Sequence, residues 1–255
     1  MPEMYVRDQI VYFQDTMKSS SHTILFLHGV GGSHHTFRDQ WARLKGTARL
    51  IIPDLPGHAR SGGATFETIS QAAEWLAAFV KELRLKKFIL AGHSMGGAIA
   101  IEAALKEVPG IEALIIIASG AKLKVDPDIV QGIKERFNDF APEFVDRMLS
   151  HETSDDLRED VLQDILSTRL ETHLADFRAC DDFDRMDRVG VIRFPTLVVN
   201  GADDGLIPLK YGEYLAENIP GAVLKILHGT GHLPVLERPT ELVAVITAFL
   251  HSLDL

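Results

Sequence analysis

The chain has 255 residues, 46% of them hydrophobic and 24% charged, which is enough to bury a core in one or two compact domains and excludes disordered and fibrous classes. Lys and Arg number 26 against 36 Asp and Glu, a net charge of −10 that repels nucleic acid phosphates and anionic lipid head groups, so neither is an expected partner. A lone cysteine, Cys180, cannot form an internal disulfide, residues 1–10 are charged at Glu3, Arg7 and Asp8, and apolar stretches such as 113–118 are too short to cross a bilayer; a cytoplasmic protein is expected.

At the start of the chain, residues 5–6 and 10–13 flank Asp8 and Gln9 and read as an antiparallel edge hairpin. From residue 23 onward, short apolar or β-branched runs alternate with runs of helical period, the pattern of a mostly parallel sheet covered by helices, so the expected class is α/β. The strand runs are 23–27, 49–52, 88–91, 114–118, 196–199 and 223–227, each apolar enough to be buried on both faces. Between them, Ile69, Ala72, Ala73, Leu76, Phe79, Val80 and Leu83 repeat at three and four and lay one apolar stripe on a sheet. The C-terminal run does the same through Leu242, Val245, Ile246, Phe249 and Leu250, with Pro239 near its start, where a missing N–H costs nothing.

Residues 122–188 break the alternation. They hold no strand run and are dense in charge, yet Ile129, Ile133 and Phe137, then Val161, Ile165 and Leu166, recur at helical spacing. The expectation is one domain over residues 1–255 with a helical cap inserted at about 122–188.

The sharpest chemical signal is Gly92-His93-Ser94-Met95-Gly96, directly between the run 88–91 and a helix expected to begin near Gly97. A serine there sits on a tight turn whose glycines allow strained angles and close strand-helix contact, and its hydroxyl projects at the sheet's C-terminal edge. Such a hydroxyl is a poor nucleophile at neutral pH, so acyl transfer also needs a base, a group that orients the base, and donors for the oxyanion. His232 follows Gly231 in the loop after the last strand, and Asp203 and Asp204 follow the run 196–199. His28-Gly29-Val30-Gly31-Gly32 follows the first parallel strand, where its glycines let backbone N–H groups turn toward the serine. These pieces fall at the C-terminal ends of strands in one sheet, where open α/β sheets bind ligands.

On these residues, in the order Ser, Asp, His, the chain resembles the α/β-hydrolase superfamily over nearly its whole length, in particular the small, cofactor-free, capped serine hydrolases that include carboxylesterases and carbon-carbon bond hydrolases. The resemblance implies Ser94 as nucleophile, His232 as general base, Asp204 as its acid partner, and the backbone N–H groups of Val30 and Met95 as the oxyanion hole. Asp203 competes for the acid position; the family pattern of an acid three residues after a glycine and four before a proline favours Asp204, given Gly201 and Pro208. The loop 54–61 also resembles the family, with Ala59 in place of a common glycine.

No cofactor or metal is implied. Adjacent His34 and His35 lack metal-ligand spacing and are expected at the surface or pocket rim, while Asp181, Asp182, Asp184 and Asp187 read as a solvated face. Cys180 reads as structural, and His28 as a buttress of the oxyanion loop. The segment 29–34 lacks the third glycine of a dinucleotide fingerprint, and 92–97 lacks the lysine of a P-loop. The expected activity is cleavage of a small carboxylic ester through an acyl-enzyme. The alternatives are a carbon-carbon bond hydrolase or lactonase with the same triad, and a ligand receptor or sensor that retains the triad and signals through cap movement or a partner protein.

Overall fold

The computed structural model describes residues 3–253, so the first two and last two positions of the expected 1–255 domain lie outside the described residues. Its strands are β1 (Glu3–Val6), β2 (Gln9–Asp15), β3 (Thr23–Leu27), β4 (Arg49–Pro53), β5 (Phe88–His93), β6 (Ile111–Ile117), β7 (Thr196–Gly201) and β8 (Val223–Leu227). They form one sheet of eight in the order β1-β2-β4-β3-β5-β6-β7-β8, antiparallel at β1 and β2 and parallel from β4 onward. The β1–β2 turn falls at Arg7 and Asp8, both with positive φ (48° and 66°), one residue earlier than the sequence suggests, and Gln9 already pairs with Val6.

Side chains alternate across the sheet, and the two faces sort cleanly. Leu25, Leu27, Leu90, Leu114, Ile116 and Val198 face one core, together with Phe79 and Ile99 of α2 (Ile69–Glu82) and α3 (Met95–Leu105). Their neighbours Ile24, Phe26, Ile89, Ile115, Ile117 and Val199 face the other, with Leu44 of α1 (Arg38–Leu44) and Leu242, Ile246 and Leu250 of the C-terminal helix. Strands buried on both faces need no polar alternation, so residues 88–92 of β5 and 113–117 of β6 read as continuous apolar runs. The run at β8 is different: it is an edge strand, and Val223 (47%) and Ile226 (37%) are exposed, so burial on both faces fails there.

Between β6 and β7 the chain forms α4 (Pro127–Met148), α5 (Asp155–Ser167) and α6 (Leu170–Asp181). Helix α4 is interrupted by non-helical backbone at Arg136 (φ −149°, ψ 47°), and the ring of Phe140 in its second half lies against Gly132 in its first, leaving no room for a Cβ there. Buried Glu102 of α3 pairs bidentately with Arg185, tying the end of this insertion to the main body. The remaining helices are α7 (Lys210–Asn218), the single turn α8 (Pro234–Glu237) and α9 (Pro239–Ser252), the last two each opened by a proline in the first turn. Among the described residues no helix is long and apolar enough to cross a membrane.

The chain leaves β3 toward β4 on one side and later places β5 on the other side of β3. The strand order therefore reverses between β3 and β5, and the loops that leave these two neighbours open a crevice at their C-terminal ends.

Candidate active site

Ser94 connects β5 directly to α3, with φ 53° and ψ −117°, a conformation outside the ordinary regions for an L-residue. The flanking glycines are required by contact. A Cβ at Gly92 would overlap the carbonyl of Gly96, and one at Gly96 would overlap the carbonyl of Leu27 at the end of β3. Helix α3 begins at Met95, two residues earlier than the sequence suggests: Gly97 and Ala98 already donate to the Ser94 carbonyl. The Met95 N–H stands at the first helical position, where no intrahelical acceptor exists.

His232 lies in the loop after β8, and its Nε2 is 3.0 Å from the Ser94 Oγ. Its Nδ1 is 2.9 Å from Asp204 Oδ2, while Asp204 Oδ1 accepts the N–H groups of Leu206 and Ile207. An ionised carboxylate only accepts, so His232 Nδ1 carries the proton and Nε2 presents a lone pair to the serine hydroxyl. Asp203 sits elsewhere: its carboxylate is exposed and accepts a hydrogen bond from the Ser150 hydroxyl at 2.8 Å. Of the two adjacent aspartates, geometry brings Asp204 to the imidazole.

The loop after β3 completes the crevice. A Cβ at Gly29 would lie 3.0 Å from that of Ser94, so the glycine lets this backbone pass close behind the serine, and Gly32 closes the turn by donating to the Gly29 carbonyl. His28 braces it from beneath: Nδ1 donates to the Gly29 carbonyl and Nε2 accepts the Leu55 N–H, so the ring is neutral with both nitrogens engaged. His34 is buried rather than at a rim. Its backbone N–H and Nδ1 both reach Asp54 Oδ1, at 2.7 and 2.8 Å. Burial raises the Asp54 carboxyl, but the His34 contacts outweigh it and hold its pKa below the usual range.

Three further groups hold this site whose contacts no local motif announces. His93 Nε2 donates to the His232 carbonyl at 2.7 Å. Glu237, buried in α8, accepts the N–H groups of Gly231 and Leu233 on either side of His232 and also those of Ser150 and the Thr153 hydroxyl from the insertion. The His232 N–H itself donates to the Met148 carbonyl at the end of α4. The only sequence signal for Glu237 is its place one helical turn beyond the histidine loop.

Ser94, His232, Val30 and the loop 29–32 line a cavity of about 290 Å³ with apolar walls from Leu123, Val125, Ile129, Phe144, Val161 and Phe177 of the insertion and adjoining segment. Cys180 also borders it but is buried, and burial pushes its thiol well above the ordinary value, so it is not a thiolate. Among the described residues no cluster of His, Cys, Asp or Glu is arranged to hold a metal ion; Asp181 and Asp184 instead pair at the surface with Lys124 and Lys122.

Residues 24–245 match the family model described as "Alpha/beta hydrolase family". The chain belongs to the alpha/beta hydrolase family. It is 27% identical over 252 residues to a pimeloyl-[acyl-carrier protein] methyl ester esterase of Neisseria meningitidis, covering 93% of this chain and 79% of that one. It is 28% identical over 246 residues to the protein of the same name in Proteus mirabilis, covering 91% and 93%. In fold it is similar to an enol-lactonase from Burkholderia xenovorans (TM-score 0.91, 20% identity, 98% of this chain and 100% of that one) and to a thermophilic esterase from Thermogutta terrifontis (TM-score 0.87, 24% identity, 98% and 97%).

The buried histidines of this family member make its stability depend on pH. Burial, then the neighbouring His58, lowers His28 to about 4; burial, then His232, lowers His93 to about 3. Both folded values lie below the ordinary 6.5, so as pH falls the unfolded chain takes up these protons first; the stability these groups give is whole above 6.5 and is lost as pH falls toward 4 and 3. Denaturant unfolding is expected to lose up to roughly 1.4 kcal/mol per pH unit for each histidine below 6.5. The variant His93→Gln, which keeps a donor for the His232 carbonyl, is expected to show a shallower slope; equal slopes would count against a neutral buried His93.

Proposed function

We propose that this protein is a serine hydrolase that cleaves small, neutral carboxylic esters through an acyl-enzyme. The observation that carries the reading is the continuous chain Ser94 Oγ, His232 Nε2, His232 Nδ1 and Asp204 Oδ2, with contacts of 3.0 and 2.9 Å, at the floor of an apolar cavity. Ser94 attacks the ester carbonyl as His232 takes its proton, and Asp204 holds the tautomer and stabilises the imidazolium that forms. The N–H groups of Met95 and Val30 receive the oxyanion. His232 then protonates the departing alcohol, and water attacks the acyl-enzyme by the same route in reverse.

Two features narrow the substrate. The cavity, at about 290 Å³, is at the small end of ligand sites, which suits a short acyl or alkoxy group. Residues 122–188 carry ten Lys and Arg against eighteen Asp and Glu, a net of −8 out of −10 for the chain. The two lysine and arginine side chains that border the cavity among the described residues, Lys124 and Arg147, are each engaged by carboxylates, Asp181 for the first and Glu143 and Asp126 for the second. A carboxylate- or phosphate-bearing substrate therefore meets a repulsive roof with its cations already paired. The two relatives named as pimeloyl-[acyl-carrier protein] methyl ester esterases act, by that name, on an ester carried by a protein; the acidic roof of this chain favours a free small ester instead.

Replacing Ser94 by Ala is expected to abolish turnover of p-nitrophenyl acetate and labelling by a fluorophosphonate, with the wild-type adduct mapping to Ser94; labelling of another residue with full activity in the variant would overturn the assignment. Asp204→Asn is expected to lower kcat by about 10⁴-fold through loss of the tautomer. Asp203→Asn is expected to change it by less than about threefold, and the reverse ranking would move the acid to Asp203. Across an ester panel at low ionic strength, kcat/KM for a neutral methyl ester is expected to exceed that for a monomethyl dicarboxylate of equal length by about tenfold or more, with the gap closing as salt is added. A preference for the anionic ester would refute the electrostatic reading.

A further inference from the structure

The insertion touches the oxyanion loop at one residue from both sides, through the two peptide groups that flank its Cα. Gly31, next to Val30, has φ 62°, and its N–H donates to Asp176 Oδ2 of α6 at 3.0 Å. Its carbonyl accepts the Thr168 hydroxyl, from the link between α5 and α6, at 2.7 Å. No Cβ fits at Gly31, because the His173 ring of α6 occupies that space. The Asp176 carboxylate, 1% exposed, is itself fixed: Oδ2 also meets His58 Nε2 at 2.8 Å and Oδ1 accepts the Thr65 hydroxyl at 2.6 Å.

His58 is held as a cation by its partners. Nδ1 faces the Pro56 carbonyl at 3.0 Å and Nε2 faces a carboxylate, and two acceptors require two N–H donors. Burial alone would lower its pKa; the Asp176 charge and hydrogen bond outweigh burial and raise it above the ordinary value. Arg169 and Thr172 of the insertion add donors to the Gly57 carbonyl beside it.

We propose that Asp176 is a positioning residue for the hydrolysis, acting with Thr168 to clamp Gly31 from the insertion and so aim the Val30 N–H at the oxyanion formed on Ser94. This rests on the hydrolase reading above. A donor aimed at the oxyanion contributes in the transition state far more than to substrate binding, and small misplacements of such groups cost large factors in rate. Loss of the clamp thus lowers kcat and leaves KM nearly unchanged, whereas a helix that only roofs the cavity would alter KM.

The test compares wild type, Asp176→Asn, Thr168→Val and the double variant on p-nitrophenyl acetate, at a temperature where circular dichroism shows each fully folded. Asp176→Asn is expected to lower kcat by about tenfold to hundredfold with KM within about twofold. Thr168→Val, which keeps the side-chain shape, is expected to lower kcat severalfold and carries the test if Asp176→Asn does not fold. The two losses are expected to be less than additive in free energy, because both act on one residue, Gly31. Unchanged kcat in both folded variants, or a change confined to KM, would overturn the positioning role. Amide hydrogen exchange of Gly31 by NMR reads the clamp independently of activity: at least tenfold faster exchange is expected in Asp176→Asn, and unchanged exchange would refute it. A wild type that turns over no ester while Gly31 exchange responds as expected would instead sink the hydrolase reading and leave the clamp standing.

Discussion

The site depends on the parallel pairing of β3 with β5, in which Leu27 lies opposite Gly92. That register brings the end of one strand against the start of the turn that follows the other, so the backbone of Leu27 and His28 passes within contact distance of Gly96. Only glycine leaves room for this approach, and the turn it allows carries Ser94 at φ 53°, a conformation that costs roughly 1–3 kcal/mol and is held by the helix and sheet on either side. Everything else in the site is aimed at the hydroxyl this constraint exposes. The Gly29 backbone passes behind it, Met95 supplies an N–H beside it, and the loops after β7 and β8 bring a carboxylate and an imidazole over the same sheet edge.

The histidines around this point divide by what their two nitrogens meet, and that division is the electrostatic design of the site. His28 meets one carbonyl and one N–H, which makes it neutral. His93 donates to one carbonyl in a fully buried place and is neutral as well. His58 meets a carbonyl and a carboxylate, which makes it a cation paired with Asp176. His232 meets a carboxylate on one side and a hydroxyl on the other, and is the one of these four whose second nitrogen is left with a lone pair directed at a group that can react. Neutral neighbours suit this arrangement, because a charged His93 next to His232 would oppose the imidazolium that the proposed mechanism forms.

Much of this was legible in the sequence because the informative features are local. Strands covered on both faces read as unbroken apolar runs, and the Gly92 to Gly96 string states the turn it must make. The groups that were not legible act across long separations. His58 reaches Asp176 over 118 positions, Glu237 reaches Ser150 over 87, and Asp54 captures His34 over 20, so no spacing in the sequence shows any of these pairs. His34 is expected at the surface or pocket rim once metal-ligand spacing is ruled out; Ser33 caps a short turn that instead rolls the ring inward onto Asp54. At β8 the reading failed for another reason: an apolar run does not say whether a strand is central or at an edge, and here one side has no neighbour.

The insertion joins this machinery by hydrogen bonds that end on each catalytic loop. Asp176 and Thr168 hold the oxyanion loop, the Met148 carbonyl and the Ser150 and Thr153 donors on Glu237 hold the histidine loop, and the Ser150 hydroxyl reaches Asp203 beside the acid. A roof attached to the main body only by apolar contact would be free to slide, since such contact has no direction. Hydrogen bonds do have direction, and most of these terminate on backbone groups of the loops or on a carboxylate that itself holds their N–H groups. These bonds therefore fix how α4 and α6 sit against the loops that carry the site. The same segment carries most of the chain's net negative charge. On the proposed mechanism, one element then bears both on which substrates approach and on how the donors for their oxyanion are aimed, so changes of cavity lining in α4 to α6 made to alter specificity are expected to act on kcat as well wherever they shift residues 148–153 or 168–176.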